Sequence, residues 1–231
     1  MNSIWLSPSS LSVFQNCPRC FWLERNEKIK RPRGIRASLP VGMDSVVKNY
    51  LDAYRIKNLL PPELYGIPGK PLLFSDAAQL ERWRNWRTGL KATVGAAILS
   101  GALDDLLFFS DGTYGVFDIK TRASPPPGGY SEKYYQRQAD CYALLLRANG
   151  MTPNPKAYFL YYSPDLVEAG GIVLFRITLA EIGASPERAI ELVNAAVTCL
   201  SNPFPPQKQD CEYCAYLNSV ENLRVGSQKS T

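Results

Sequence analysis

The segment Ile98-Leu-Ser-Gly-Ala-Leu-Asp-Asp-Leu-Leu-Phe-Phe-Ser-Asp-Gly-Thr-Tyr-Gly-Val-Phe-Asp-Ile-Lys-Thr-Arg122 decides the fold. It reads as two apolar strand-like runs, Ile98 to Phe109 and Thr113 to Arg122, joined by Ser110-Asp111-Gly112. A three-residue connection ending in glycine suits a type I turn followed by a left-handed residue, which closes an antiparallel hairpin. In that register Phe109 pairs with Thr113 and Asp104 falls opposite Asp118. Side chains alternate along a strand, so Lys120 shares the face of Asp118 and therefore of Asp104. A two-residue Asp111-Gly112 turn would oppose Asp105 to Asp118 instead, which keeps Asp105 as a reserve ligand. The three-residue register is preferred because its turn accommodates Ser110.

Two carboxylates facing each other in an apolar sheet repel and raise a pKa unless a cation lies between them. A hard divalent ion such as Mg2+ or Mn2+ removes that cost, binds phosphate and acidifies a water molecule. Lys120 would hold that water or neutralise charge on a phosphorane oxygen. An Asp-x-Lys triplet by itself is common on solvated hairpins. Its weight here comes from its order with Gly101-x-x-Asp104, the turn and the helix that follows.

That helix is expected from near Ser131 to about Arg147, and four-residue spacing puts Gln138 and Tyr142 on one face. The order Gly-x-x-Asp104, Asp118-Ile119-Lys120, Gln138-x-x-x-Tyr142 resembles the RecB-like branch of the PD-(D/E)XK nuclease superfamily, and within it the cysteine-cluster-bearing CRISPR-associated and AddB-type exonucleases. The resemblance implies an α/β fold of the restriction-endonuclease type, with a central mixed β-sheet flanked by helices, and metal-dependent hydrolysis of DNA. It implies that Asp104, Asp118 and the Ile119 backbone carbonyl bind the catalytic ion, that Lys120 assists the water, and that Gln138 and Tyr142 position substrate and lysine. Its relatives act in DNA repair, recombination or CRISPR-type processing, on DNA with a single-stranded region and often beside protein partners. A nucleic-acid-binding subunit that has lost its chemistry is the alternative. Retention of both acids and the lysine favours the enzyme.

Cysteine spacing supplies a second signal. Cys17-Pro-Arg-Cys20 and Cys211-Glu-Tyr-Cys214 flank the nuclease-like segment, and two matching Cys-x-x-Cys pairs read as one four-thiolate metal centre joining the N- and C-terminal segments. The nuclease resemblance brings in an iron–sulfur (4Fe-4S) cluster, usually held by one early and three late cysteines. The chain departs from that pattern, because Cys20 is extra and Ala215 to Thr231 contain no cysteine. An iron–sulfur cluster and Zn2+ therefore both remain open, with the cluster preferred. Cys141, alone in mid-helix, reads as core.

The 231 residues are 45% hydrophobic with a formal net charge of +5 and no histidine, enough for a sizeable core and a mild bias toward a polyanion. No apolar run reaches membrane-spanning length and no signal-peptide pattern opens the chain, so a cytoplasmic protein is expected. Ser7 caps a short helix leading into Cys17. The stretch Glu24 to Arg36 carries Lys28, Lys30, Arg31, Arg33 and Arg36, which either track a nucleic-acid backbone or form a solvated loop. A helix is expected from Val41 toward Ile56. Relatives often place a histidine on this helix, and Asp44 is the best substitute by position, although a helix-start acid is the simpler reading. Ser75 to Leu99 reads as helical, with Trp83 and Trp86 in the core. Ser124-Pro-Pro-Pro-Gly-Gly-Tyr130 is a loop at the mouth of the proposed site, with Tyr130, Lys133, Tyr134 and Arg137 placed to stack on bases or meet phosphates. A second strand pair is expected at Pro155 to Ser163 and Gly171 to Leu179, and a helix from Ser185 to Leu200. Residues 1–220 are read as one nuclease-like domain and 221–231 as a frayed tail.

Overall fold

The computed structural model describes the backbone of residues 3–32, 34, 35 and 37–228. Its elements run β1 (Ile4–Leu6), α1 (Pro8–Asn16), α2 (Pro18–Asn26), α3 (Ser38–Ile56), β2 (Leu72–Leu73), α4 (Ala77–Arg84), β3 (Leu90–Val94), β4 (Ala97–Gly101), β5 (Asp105–Phe108), β6 (Tyr114–Thr121), α5 (Tyr130–Ala148), β7 (Lys156–Glu168), β8 (Ile172–Gly183), α6 (Pro186–Ser201) and α7 (Glu212–Gln228). A five-stranded mixed sheet has the order β2-β5-β6-β7-β8, and a three-stranded sheet has the order β1-β4-β3. The fold is the mixed α/β architecture expected from the sequence.

The apolar run Ile98 to Phe109 is not one strand. It divides after Gly101: β4 pairs with β1 and β3, whereas β5 enters the larger sheet. The break satisfies its backbone without a ladder. Leu103 N–H donates to the Trp83 carbonyl at 2.9 Å, Tyr142 Oη donates to the Ala102 carbonyl at 2.6 Å, and Arg84 Nε donates to the Asp104 carbonyl at 2.9 Å. Gly101 is required at the corner. A Cβ there would lie 2.9 Å from both the Tyr142 ring and the Leu145 side chain, so glycine lets α5 approach β4.

The helix expected over Ser75 to Leu99 is corrected to α4 alone. Asp76 caps it through the Gln79 N–H at 2.8 Å, and it ends at Arg84. Beyond it Leu90, Ala92 and Val94 are buried while Lys91 and Thr93 are exposed, a two-residue period that makes β3 a strand. Trp83 packs on Phe74 at 5.2 Å between ring centroids, but Trp86 is 74% exposed and is not core.

The centre of the larger sheet is covered on both faces, while the far end of the β7–β8 hairpin is exposed. Val116 and Leu106 pack with α5 and α6 residues such as Ala139, Leu145 and Val193. Phe117, Ile119 and Leu107 pack on the other face with Val47 and Leu51 of α3. Polar groups at the end of β6 therefore meet α5 from one side and α3 from the other. α5 joins β6 to the parallel strand β7, which places the helix across the sheet as a crossover. β7 and β8 extend past the strand ends expected from the sequence, and α7 runs to Gln228, through most of the segment expected as a tail. Among the described residues no helix is long and apolar enough to cross a membrane.

Candidate active site and cysteine centre

The hairpin closes with the three-residue register. Phe109 N–H bonds to the Thr113 carbonyl and Gly112 N–H to the Phe109 carbonyl, each at 3.0 Å, with Gly112 at φ 82°. Asp105 pairs with Phe117 in the ladder, so Asp104, one residue further, falls beside Asp118. Asp105 turns to the α3 side. There its fully buried carboxylate meets Arg55 at 2.6 Å and Arg84 at 3.1 Å. Neighbouring acids thus have different surroundings: Asp105 is locked into an ion-pair network, whereas Asp104 faces Asp118.

Asp118 is 2% exposed, and α5 reaches it directly. Gln138 Nε2 donates to Asp118 Oδ1 at 2.6 Å, and Lys120 Nζ donates to Gln138 Oε1 at 3.2 Å. The Lys120 ammonium also contacts Asp118 Oδ2. Its charge lies 4.6 Å from the Tyr135 ring centroid and 5.8 Å from that of Phe159, which confines the lysine to the acid. Gln138 therefore spans acid and lysine with one amide. Tyr142, one turn on, is spent on the Ala102 carbonyl and lines a cleft with Ser7, Pro8, Ser100 and Gly101. Ile119 stands between Asp118 and Lys120 with its side chain in the opposite core.

Sequence reasoning missed Lys48. Its Nζ donates to Asp104 Oδ1 at 2.8 Å and to Asp44 Oδ2 at 2.9 Å, so Asp44 reaches the acid pair only through this lysine. The spacing of Asp44 and Lys48 on α3 was a visible helix pair, but its contact with Asp104 spans 56 residues. Tyr135, against Lys120, was also missed.

Burial, with the charge of Asp104 added, pushes Asp118 up to about 7 even though Lys120 opposes the shift. Burial works against Asp104 as well, but the Lys48 ammonium holds it below the ordinary carboxylate range. A pair of converging carboxylates, one raised by the other, fits a hard divalent ion such as Mg2+ or Mn2+.

The two cysteine pairs meet. Their four sulfurs lie within 4.8 Å of one another, with Cys17 to Cys214 at 3.8 Å, Cys20 to Cys211 at 3.6 Å and Cys20 to Cys214 at 3.7 Å; none is in a disulfide. Each pair sits at a helix start, Cys17 capping α2 and Cys211 preceding α7, where the positive end of the helix favours thiolate. Cys17 is burdened by burial, but hydrogen bonds from the Lys208 and Cys20 backbone outweigh it and lower its thiol to about 6. Burial and neighbouring sulfurs drive Cys214 up. Such a quartet cannot all ionise without a shared cation, and its chemistry fits Zn2+ or an iron–sulfur cluster. Cys141 is buried in the α5 core, and Cys199 packs near Pro18 apart from the quartet.

The basic and aromatic candidates scatter. Lys28 and Lys30 are exposed, Lys28 bonding to the Arg25 carbonyl at 2.7 Å. Arg31 instead turns to the cysteines, donating to Cys211 Sγ at 3.6 Å and lying 4.6 Å from the Tyr213 ring centroid. Arg33 and Arg36 lie outside the described residues. Tyr130 and Tyr134 pack at 4.5 Å, with Arg122 over Tyr130 and Lys133 beside Tyr134, on the loop side of α5. Arg137 ties α5 to α1 through the Pro8 carbonyl and Gln15.

A sequence model of the family described as the PD-(D/E)XK nuclease superfamily matches residues 70–219. That span includes Asp104, Asp118, Lys120, Gln138 and Tyr142 but not α3 or the first cysteine pair. No curated protein matches. Among solved structures that match is the crystal structure of SSO0001, 16% identical, covering 91% of this chain and 82% of that one, with a TM-score of 0.41.

Proposed function

The chain belongs to the PD-(D/E)XK nuclease superfamily, whose members are typically metal-dependent nucleases, and from that premise we propose that it hydrolyses DNA phosphodiester bonds at the Asp104, Asp118 and Lys120 cluster. The observation that carries the reading is Gln138, whose amide spans Asp118 and Lys120 from α5. Asp104 and Asp118 would hold Mg2+ or Mn2+, with the Ile119 carbonyl as a further donor. A divalent ion bound there supplies a Lewis acid for the phosphate and lowers the pKa of a water.

The side chains do the rest. Asp118, raised by burial, stays ready to accept a proton or a cation. Lys120, confined by the Tyr135 face, presents its ammonium to the attacking water and to the charge that builds on the phosphorane. Gln138 fixes the spacing of that lysine from Asp118. Tyr142 keeps the Gly101 corner closed on α5 and lines the cleft beside it. Tyr130, Lys133 and Tyr134 offer a stacking and phosphate-binding surface for DNA with a single-stranded region.

The same proposal places the chain in the RecB-like branch, near the CRISPR-associated and AddB-type exonucleases, with protein partners in repair, recombination or CRISPR processing. It gives the four cysteines an iron–sulfur cluster, with Zn2+ as the rival. A cytoplasmic setting belongs to it, because the thiolates must stay reduced to bind.

The test is digestion of end-labelled DNA carrying a single-stranded tail, in Mg2+ or Mn2+, with anaerobically purified protein. The wild type cleaves. Asp118→Ala and Lys120→Ala each lower the rate by about 10²–10³-fold or more while the circular dichroism and the absorbance of the cysteine centre stay unchanged. A wild type that binds DNA without cutting it, or near wild-type cutting by Asp118→Ala, overturns the proposal.

A further inference from the structure

Lys48 is the charged group the nuclease reading leaves unused. It lies on α3, outside the matched family segment, with its side chain 18% exposed and its ammonium between two carboxylates, 2.8 Å from Asp104 and 2.9 Å from Asp44. The four-residue spacing of Asp44 and Lys48 lets one helix turn hold that bridge with little ordering cost. Lys120 lies on the opposite flank, against Asp118. The acid pair is therefore bracketed by ammonium groups, one from α3 and one from β6.

The charge balance follows from these contacts. With Asp44, Asp104 and Asp118 all ionised, three carboxylates face two ammonium groups, which leaves one negative charge. One divalent ion turns that into one positive charge, matched to a single phosphodiester. A second divalent ion shared between carboxylates would need the position between Asp44 and Asp104, and the Lys48 ammonium already stands there. Hydrogen bonds to both acids hold it in place.

We propose that Lys48 is a fixed monovalent cation of the reaction centre, a positioning residue that orients Asp104 and restricts the site to one divalent ion on the Asp104–Asp118 side. The inference rests on the reading of that pair as the metal site.

The experiment counts ions rather than turnover. Mn2+ binding to the full chain, with its cysteine centre loaded as isolated, is followed by electron paramagnetic resonance of free Mn2+ and by calorimetry. The wild type binds one ion, and Asp118→Ala loses it. Lys48→Met keeps the apolar stem and removes the charge, and it binds two ions. Lys48→Arg keeps the charge and stays at one. Adding Asp44→Asn to Lys48→Met returns the count to one, because the second ion loses an acid. Lys48→Gln serves as a second neutral variant should methionine disturb the fold. Two ions on the wild type, one on both neutral variants, or two on the Asp44→Asn double variant overturns the inference while leaving the nuclease reading standing. No ion on the wild type removes both.

Discussion

The carboxylate cluster at the end of β6 and the thiol cluster at the starts of α2 and α7 both bring acidic groups together, but they carry unequal internal charge compensation. Asp104 and Asp118 have Lys48 and Lys120 in direct contact, and a glutamine spans one acid and its lysine. Among the described residues the four cysteines have only the Arg31 guanidinium beside them, at 3.6 Å from the Cys211 sulfur. They also sit in a cluster of their own, with Val13 as the adjoining apolar contact, rather than in the main core. The carboxylate site is preorganised by the chain's own cations and by packing on both faces of a sheet. The thiol site joins segments almost two hundred residues apart, alongside contacts such as Trp22 on Phe204 and Arg19 on the Pro205 carbonyl, so a metal bound there would add folding energy to that junction.

The largest break in that comparison is expected from the thiols. Cys211→Ser lowers metal content at the quartet and stability together, by about 5 kcal/mol, which for a chain of this size is on the order of 10–20 °C in the melting midpoint. Cys141→Ser, in the α5 core, leaves metal stoichiometry unchanged. Calorimetry with metal analysis checks both. Full metal loading of a Cys20→Ser, Cys211→Ser double variant would break the four-ligand centre.

Next in size is the contrast between adjacent aspartates. Asp105→Asn removes the buried carboxylate that Arg55 and Arg84 share, leaving them the part-exposed Asp52, and costs about 3–5 kcal/mol. It spares the cleavage chemistry of the molecules that remain folded. Asp104→Asn does the reverse, keeping the melting midpoint within a few degrees and removing metal-dependent cleavage. Paired melts and single-turnover assays separate the two, and a variant pair with the effects exchanged would mean that the hairpin register is misread.

The smallest effect sharpens the thiol side. Arg31→Gln removes a guanidinium donor to the quartet and its packing on Tyr213, for about 1–2 kcal/mol. The expected outcome is a few-fold faster loss of metal to a chelator with DNA affinity nearly unchanged, measured by absorbance and by fluorescence anisotropy. A large loss of DNA affinity with unchanged metal retention would return Arg31 to the nucleic-acid surface.

Local pattern was enough for the elements that build the candidate site. The alternation through Val116, Asp118 and Lys120, the glycine of the three-residue turn and the helical spacing of Gln138 and Tyr142 each act over a few residues, so the sequence carried them directly. It failed where a second period began. The helical pattern from Ser75 hid the alternation of β3, and the apolar run from Ile98 hid its division at Gly101, because apolar content is the same on either side of that corner.

The sequence by itself determined which residue types could hold a metal and which of them were near neighbours in a strand or helix: Asp104, with Asp105 in reserve, across from Asp118, Cys17 with Cys20, Cys211 with Cys214. Tertiary structure decided which of these met and what each met. Lys48 reaches Asp104, Arg55 and Arg84 take Asp105, Arg31 turns to sulfur, and the two cysteine pairs close on one another. The physical reason is that periodicity fixes the face a side chain takes, whereas its long-range partner depends on how faces pack. Burial then sorts the charges, since an acid or a guanidinium removed from water must find an opposite charge wherever the packing offers one.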